Sequence, residues 1–201
     1  MDKIITTPDP RLRIKSKKVN HITDETKKII ADMIALSLDW EKSHPHELSA
    51  AMAAPQMGVN QRIIIMRDNL EDKEDQSFTA LIDPKVIKTE GKIEEDYEGC
   101  LSVPNGIYGL VPRPDKARIK AKLIDGSEVR LKTTGQLTRT LLHEIDHLEG
   151  ILFVDHIKDN EAAFYHLREE DGELEKLSHT DYLKNYRILF PNDTEDEEDN
   201  N

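Results

Sequence analysis

Cysteine is almost absent from this chain: there is one, Cys100, among 201 residues. A single cysteine excludes an internal disulfide framework and leaves three roles: a small buried hydrophobe, a reactive thiol or a metal ligand. No apolar run approaches the ~20 residues needed to span a membrane. The first residues, Met1 to Pro8, carry no apolar signal core, so a cytoplasmic location is expected. Basic residues are in deficit. Lys and Arg number 28 against 40 Asp and Glu, a formal net charge of -12, which argues against nucleic-acid binding. Half of that excess lies in six C-terminal acids, Asp193, Glu195, Asp196, Glu197, Glu198 and Asp199, leaving -6 for the rest. Aromatics are scarce at 5%, with one tryptophan. With 37% hydrophobic residues, a core large enough for one domain remains.

There is no internal repeat. Residues 2–20 read as an extended arm in which Pro8 and Pro10 prevent a helix. Thr23 and Asp24 are good capping residues, and Ile29, Ile30, Met33, Ile34 and Leu38 predict a helix to about Lys42. Strands are expected at 61–66 and 78–82. Two more are expected within 85–97, turning at Glu90-Gly91. Asp125-Gly126 predicts a hairpin between 117–124 and 128–132. A helix follows from about Thr134 to Leu148, stopped by Gly150. Another is expected over 160–170. Residues 182–190 are rich enough in aromatic and aliphatic side chains to dock on the domain, and the tail from about residue 191 is expected to be disordered. Helix, antiparallel strands, helix is an α+β order.

The chemistry concentrates in His143-Glu144-Ile145-Asp146-His147. At ~100° per residue, histidines four apart lie ~40° apart around a helix and can share one cation. Glu144 lies in the next sector, where it can act as a base. Two surface histidines on a charged helix are the bland alternative. A metal site needs a third ligand. In one protease class it is a histidine six residues beyond the motif, but here that position is Phe153. A downstream glutamate, Glu161 or Glu169, would make an H-E-x-x-H metallopeptidase of another class. The thiolate of Cys100 is the rival, and it suits a first-row transition metal. Gly99 beside it permits close backbone approach, and Leu101 offers an N–H.

Three separated segments resemble the peptide deformylase family. Ala53-Ala54-Pro55-Gln56-Met57-Gly58 is similar to the end of the family's first motif, G-x-G-x-A-A-x-Q. Glu98-Gly99-Cys100-Leu101-Ser102 matches the second motif and His143 to His147 the third. The likeness extends from about residue 4 to residue 158. It implies antiparallel sheets packed around a central metal-binding H-E-x-x-H helix, with an N-terminal helix and a C-terminal helical extension. One catalytic domain is expected over 1–190, with its core at about 4–158 and an extension at 159–190 beyond the likeness, followed by an acidic tail at 191–201. The implied activity is removal of the formyl group from N-formylmethionyl nascent peptides, near the ribosome, without a membrane or direct nucleic-acid binding.

The resemblance implies Cys100, His143 and His147 as ligands of one divalent ion, ferrous iron by preference, with zinc, nickel or cobalt as substitutes. Glu144 is then the proton carrier, and Gln56 and the Leu101 N–H stabilise the oxyanion. Glu98 pairs with Arg113 to support the Cys100 loop. Asp146 orients a ligand histidine or caps a neighbouring loop.

The sequence departs from the family pattern in several places. Ser49 and Ala51 replace the two glycines of the first motif, in a segment expected along the peptide with Gly99. An extended backbone there tolerates both, whereas a left-handed one would be strained. Leu142 replaces a usual glutamine. Arg139 and Thr140 stand where relatives present apolar residues to the methionine side chain, so either Arg139 snorkels to solvent or the pocket is more polar. Tyr108, in a slightly lengthened segment, borders the cleft or packs a turn. A degenerate deformylase that binds formyl-peptides without efficient turnover is the remaining alternative, motivated by Ser49 and Ala51.

Overall fold

The computed structural model describes residues 3–72 and 74–193. Among them are three α-helices: α1 (Asp24–Glu41), α2 (Gly135–Glu149) and α3 (His179–Leu189). There are seven strands: β1 (Ala51–Ala53), β2 (Ile63–Arg67), β3 (Phe78–Glu98), β4 (Ile107–Lys122), β5 (Glu128–Thr134), β6 (Phe164–Leu167) and β7 (Leu174–Lys176). The strands pair antiparallel in the order β1-β2-β3-β4-β6-β7, with β5 also on β4. This is an α+β fold.

α1 begins where expected. Thr23 Oγ1 accepts the Thr26 N–H at 3.3 Å, and Asp24 and Glu25 complement the helix dipole. Its buried Ile30 and Met33 pack with Met52, Ile63 and Ile65 of β1 and β2.

α2 has two buried faces. Leu141, Ile145 and Leu148 pack on Ile64, Leu81 and Ile119 of the sheet. Arg139, His143 and His147, four residues apart, follow another face toward the end of β3. Gly150 ends the helix with φ +78°, and a Cβ there would stand 2.5 Å from the Arg13 carbonyl oxygen, so only glycine fits. The chain then turns back, and Phe153 enters the core with its ring 6.0 Å from that of His143.

Several expectations are corrected. Residues 78–98 form one strand, not separate strands with a turn at Glu90-Gly91. The register shifts between Glu90 and Ile93, and Gly91 at φ +83° accommodates a bulge. The arm contains a short 3-10 turn at Pro10–Arg13, because proline is tolerated in a first turn. Residues 160–170 are not a helix. A 3-10 turn at Glu161–Ala163 leads into β6, which pairs with Ile107, Tyr108 and Gly109 of β4. Phe164 is fully buried there, and Asp171-Gly172 turns the chain into β7, with Gly172 at φ +72°.

The C-terminal segment docks as expected. α3 is capped by Ser178, and Leu189 and Phe190 pack with Phe153 and Phe164. The described chain continues through a 3-10 turn at Pro191–Asp193, within the stretch expected to be disordered; the rest of the expected tail lies outside the described residues.

Candidate metal centre and active site

Cys100, His143 and His147 come together. One donor atom from each lies within 4.8 Å of the others. Cys100 Sγ and His147 Nε2 are 3.2 Å apart. His143 uses Nδ1 to bond Glu98 Oε2 at 2.9 Å, which leaves Nε2 as the ring nitrogen on the Cys100 side. Both histidines are buried. A thiolate with two imidazoles is a donor set for a divalent transition metal rather than for magnesium or calcium. Two buried atoms without protein partners, His147 Nδ1 and Glu144 Oε2, mark the surroundings as unfinished by protein alone.

Glu98 holds this cluster from behind. Its carboxylate takes Arg113 through two bonds, 2.6 and 3.0 Å, and Arg139 through a third at 2.7 Å. All three side chains are buried, so this is not a weak, solvent-screened surface pair. Burial opposes ionisation of Glu98, but His143 and Arg113 outweigh it and hold its carboxyl far below the usual range. Asp146 accepts from Arg113 at 2.8 Å and from His156 at 2.7 Å. It braces the arginine rather than bonding either histidine of the motif.

Glu144 is 4% exposed. Burial pushes its pKa up to about 7, with the Glu98 charge adding to the shift. A carboxyl poised near neutrality can both take and return a proton. Gln56 sits in a 3-10 turn at Ala54–Met57, and the Ala53 N–H donates to its Oε1 at 2.8 Å. That bond fixes the amide orientation, so the NH₂ faces Ser102 Oγ at 3.2 Å and Cys100 Sγ at 3.6 Å. Among the described residues the Leu101 N–H donates to no protein acceptor. Gln56, Leu101, Cys100, His143 and Glu144 all border one cavity of about 230 Å³.

Ser49, Ala51, Gly99, Tyr108 and Arg139 border the same cavity. Neither Ser49 nor Ala51 has a positive φ, so no strain accompanies the two lost glycines. The Ser49 hydroxyl turns away to Ser37 Oγ at 2.5 Å, and its N–H donates to Glu41 Oε1 at 2.8 Å. Glu41 also takes Arg67 Nη2 at 2.6 Å in a buried ion pair. Sequence reasoning missed Ser37, Glu41 and Arg67. The available signals were a serine four residues beyond Met33 on the apolar face of α1 and an arginine closing a buried strand.

Arg139 does not snorkel to solvent. It is 8% exposed, and besides Glu98 it donates to the carbonyls of Val111 at 2.8 Å and Glu94 at 2.7 Å. Its head group ties α2 to β3 and β4. The Tyr108 ring covers Gly99, where a Cβ would stand 2.5 Å from it. Its hydroxyl donates to Glu47 Oε2 at 2.6 Å.

The metallopeptidase alternative loses its ligand. Glu161 pairs with His179 at the surface, and Glu169 borders a different cavity with His46 and His166. Only Cys100 joins the two motif histidines among the described residues.

A thiol, two imidazoles and a buried carboxyl around one cavity define the class of a metal-dependent hydrolase site. The chain belongs to the polypeptide deformylase family, whose model matches residues 1–163. It is 39% identical over 180 residues to a peptide deformylase of Thermomicrobium roseum, covering 88% of this chain and 97% of that protein. It is 42% identical over 149 residues to a peptide deformylase of Halothermothrix orenii, covering 74% and 88%. A peptide deformylase structure from Legionella pneumophila superimposes with TM-score 0.70 at 26% identity, covering 100% of this chain and 99% of the other. One from Synechococcus elongatus, in complex with actinonin, gives TM-score 0.66 at 36% identity over 77% of each chain.

Proposed function

We propose that this chain removes the N-formyl group from formyl-methionine at the start of newly made polypeptides and releases formate. The observation that carries this reading is the meeting of Cys100, His143 and His147 beside a buried Glu144 and an amide, Gln56, aimed at Cys100. Cys100, His143 and His147 would hold one divalent ion, ferrous iron by preference, with zinc, nickel or cobalt as substitutes. When bound, such an ion supplies a Lewis acid for the formyl oxygen and makes water more acidic.

The chain's own groups do the rest. Glu144 accepts a proton from the attacking water and delivers it to the amine nitrogen as the C–N bond breaks. The Gln56 amide and the Leu101 N–H donate to the formyl oxygen as negative charge builds there. Glu98, held by Arg113 and Arg139, fixes the His143 ring. The substrate backbone passes Ser49, Ala51 and Gly99, where β1, among the described residues, pairs only with β2 and leaves an edge open to an extended peptide.

Docking of α3 on the core supports residues 1–190 as one catalytic unit. No helix among the described residues is long and apolar enough to cross a membrane. We place the reaction in the cytoplasm, near the ribosome, with the nascent chain as partner. The test is anaerobic loading with ferrous iron, followed by an assay for formate from formyl-Met-Ala-Ser. Release is expected. Absence of release with metal bound and the fold intact would refute the reading.

A further inference from the structure

Two cavities open beside each other above Cys100 and Leu101. The first, about 230 Å³, reaches His143 and Glu144; the second, about 550 Å³, runs toward Lys3, Asp39 and Asn105. Trp40, Glu47, Cys100, Leu101 and Tyr108 border both. Tyr108 projects from β4, and Glu47 lies in the segment between α1 and β1. Their 2.6 Å hydrogen bond therefore spans the cleft where the cavities meet.

The first cavity is smaller than the ~300 Å³ at which ligand pockets usually begin. It has room for about one residue, whereas a polypeptide must continue beyond it. The Tyr108 ring rests on a residue without a Cβ, and its tip is held by the single bond to Glu47. Swinging it aside would break that hydrogen bond and open the first cavity toward the second, with which it shares Trp40, Cys100 and Leu101. Burial and the neighbouring Glu47 raise the phenol pKa, so it stays a donor at working pH.

We propose that Tyr108 and Glu47 form a crossbar that sets how the protein discriminates between short and long formyl-peptides. Closed, it favours substrates ending within the first cavity. Open, it admits the residues that follow methionine into the second. This selectivity rests on the deformylase reading, but the crossbar can be tested without turnover. Trp40 is the chain's single tryptophan and borders both cavities, so its fluorescence reports occupancy.

The metal-free full chain is titrated with N-acetylmethionine amide and with N-acetyl-Met-Ala-Ser-Lys amide, neither of which carries a formyl group. Wild type, Tyr108→Phe and Glu47→Ala are compared, and kcat/KM for the matching formyl-peptides is measured on iron-loaded protein. Both variants are expected to raise the long-to-short ratio about tenfold in affinity and in kcat/KM, the effect of losing one charge-assisted bond. An unchanged or lowered ratio in folded variants would overturn the crossbar. Failure of every formyl-peptide to release formate would instead sink the deformylase reading, while the acetyl-peptide titration would still decide the crossbar.

Discussion

Glu98 accepts a hydrogen bond from His143 Nδ1 at 2.9 Å, and the same carboxylate carries both Arg113 and Arg139. The end of β3 and the motif helix α2 are thus joined through one buried charge. That junction fixes which nitrogen of His143 faces the cluster.

Glu98→Gln removes the charge and loosens the ring. Metal affinity is expected to fall about 10- to 100-fold, as for other groups that orient a ligand histidine. Competition against a chelator measures it. Unchanged affinity in a folded variant would show that Glu98 only supports the fold. Arg139→Met leaves Glu98 with Arg113 and His143 and removes the arginine's bonds to the carbonyls of Glu94, Asp96 and Val111, so a stability loss of about 3 kcal/mol is expected in urea unfolding.

Gln56→Leu keeps the bulk but deletes the amide donor. A loss of about 10²- to 10³-fold in kcat is expected, with KM changing much less. Steady-state kinetics on a formyl-Met peptide separates the two. A variant impaired only in KM would assign Gln56 to substrate binding instead.

The raised pKa of Glu144 makes stability depend on pH in a definite direction. Below the ordinary value of 4.5 the carboxyl is protonated both folded and unfolded and contributes nothing. Between 4.5 and about 7 the unfolded chain releases the proton while the folded one keeps it, so stability falls as pH rises. The full cost is about 3 kcal/mol above pH 7 in metal-free protein. Glu144→Gln removes it, and its advantage over wild type should grow from pH 4.5 to 7 and then level off. Urea midpoints at several pH values test this, and a pH-independent difference would contradict it.

Much of the candidate site was legible because its determinants are local. The spacing of His143 and His147, the Gly150 stop and the Asp125-Gly126 turn each act within a few residues, and each is found where expected. The bracing was less legible because it depends on distant partners. Nothing near Arg139 in sequence announces Glu98 or the carbonyls of Glu94 and Val111. Phe164–Leu167 became a strand because the start of β4 offered an open edge and Phe164 a place in the core. Asp171-Gly172 was the missed clue, a turn pair of the same kind as Asp125-Gly126. At Glu90-Gly91 the opposite happened: a local turn signal was absorbed as a bulge by the long pairing of β3 with β4.

We propose that Cys100 completes the metal site and that the site deformylates. Metal content and formate release, measured on the same iron-loaded samples of wild type and Cys100→Ala, test it most directly. One metal per chain with formate release is predicted for wild type, and loss of both for a folded Cys100→Ala. Retention of metal and turnover by Cys100→Ala would show that another residue completes the site.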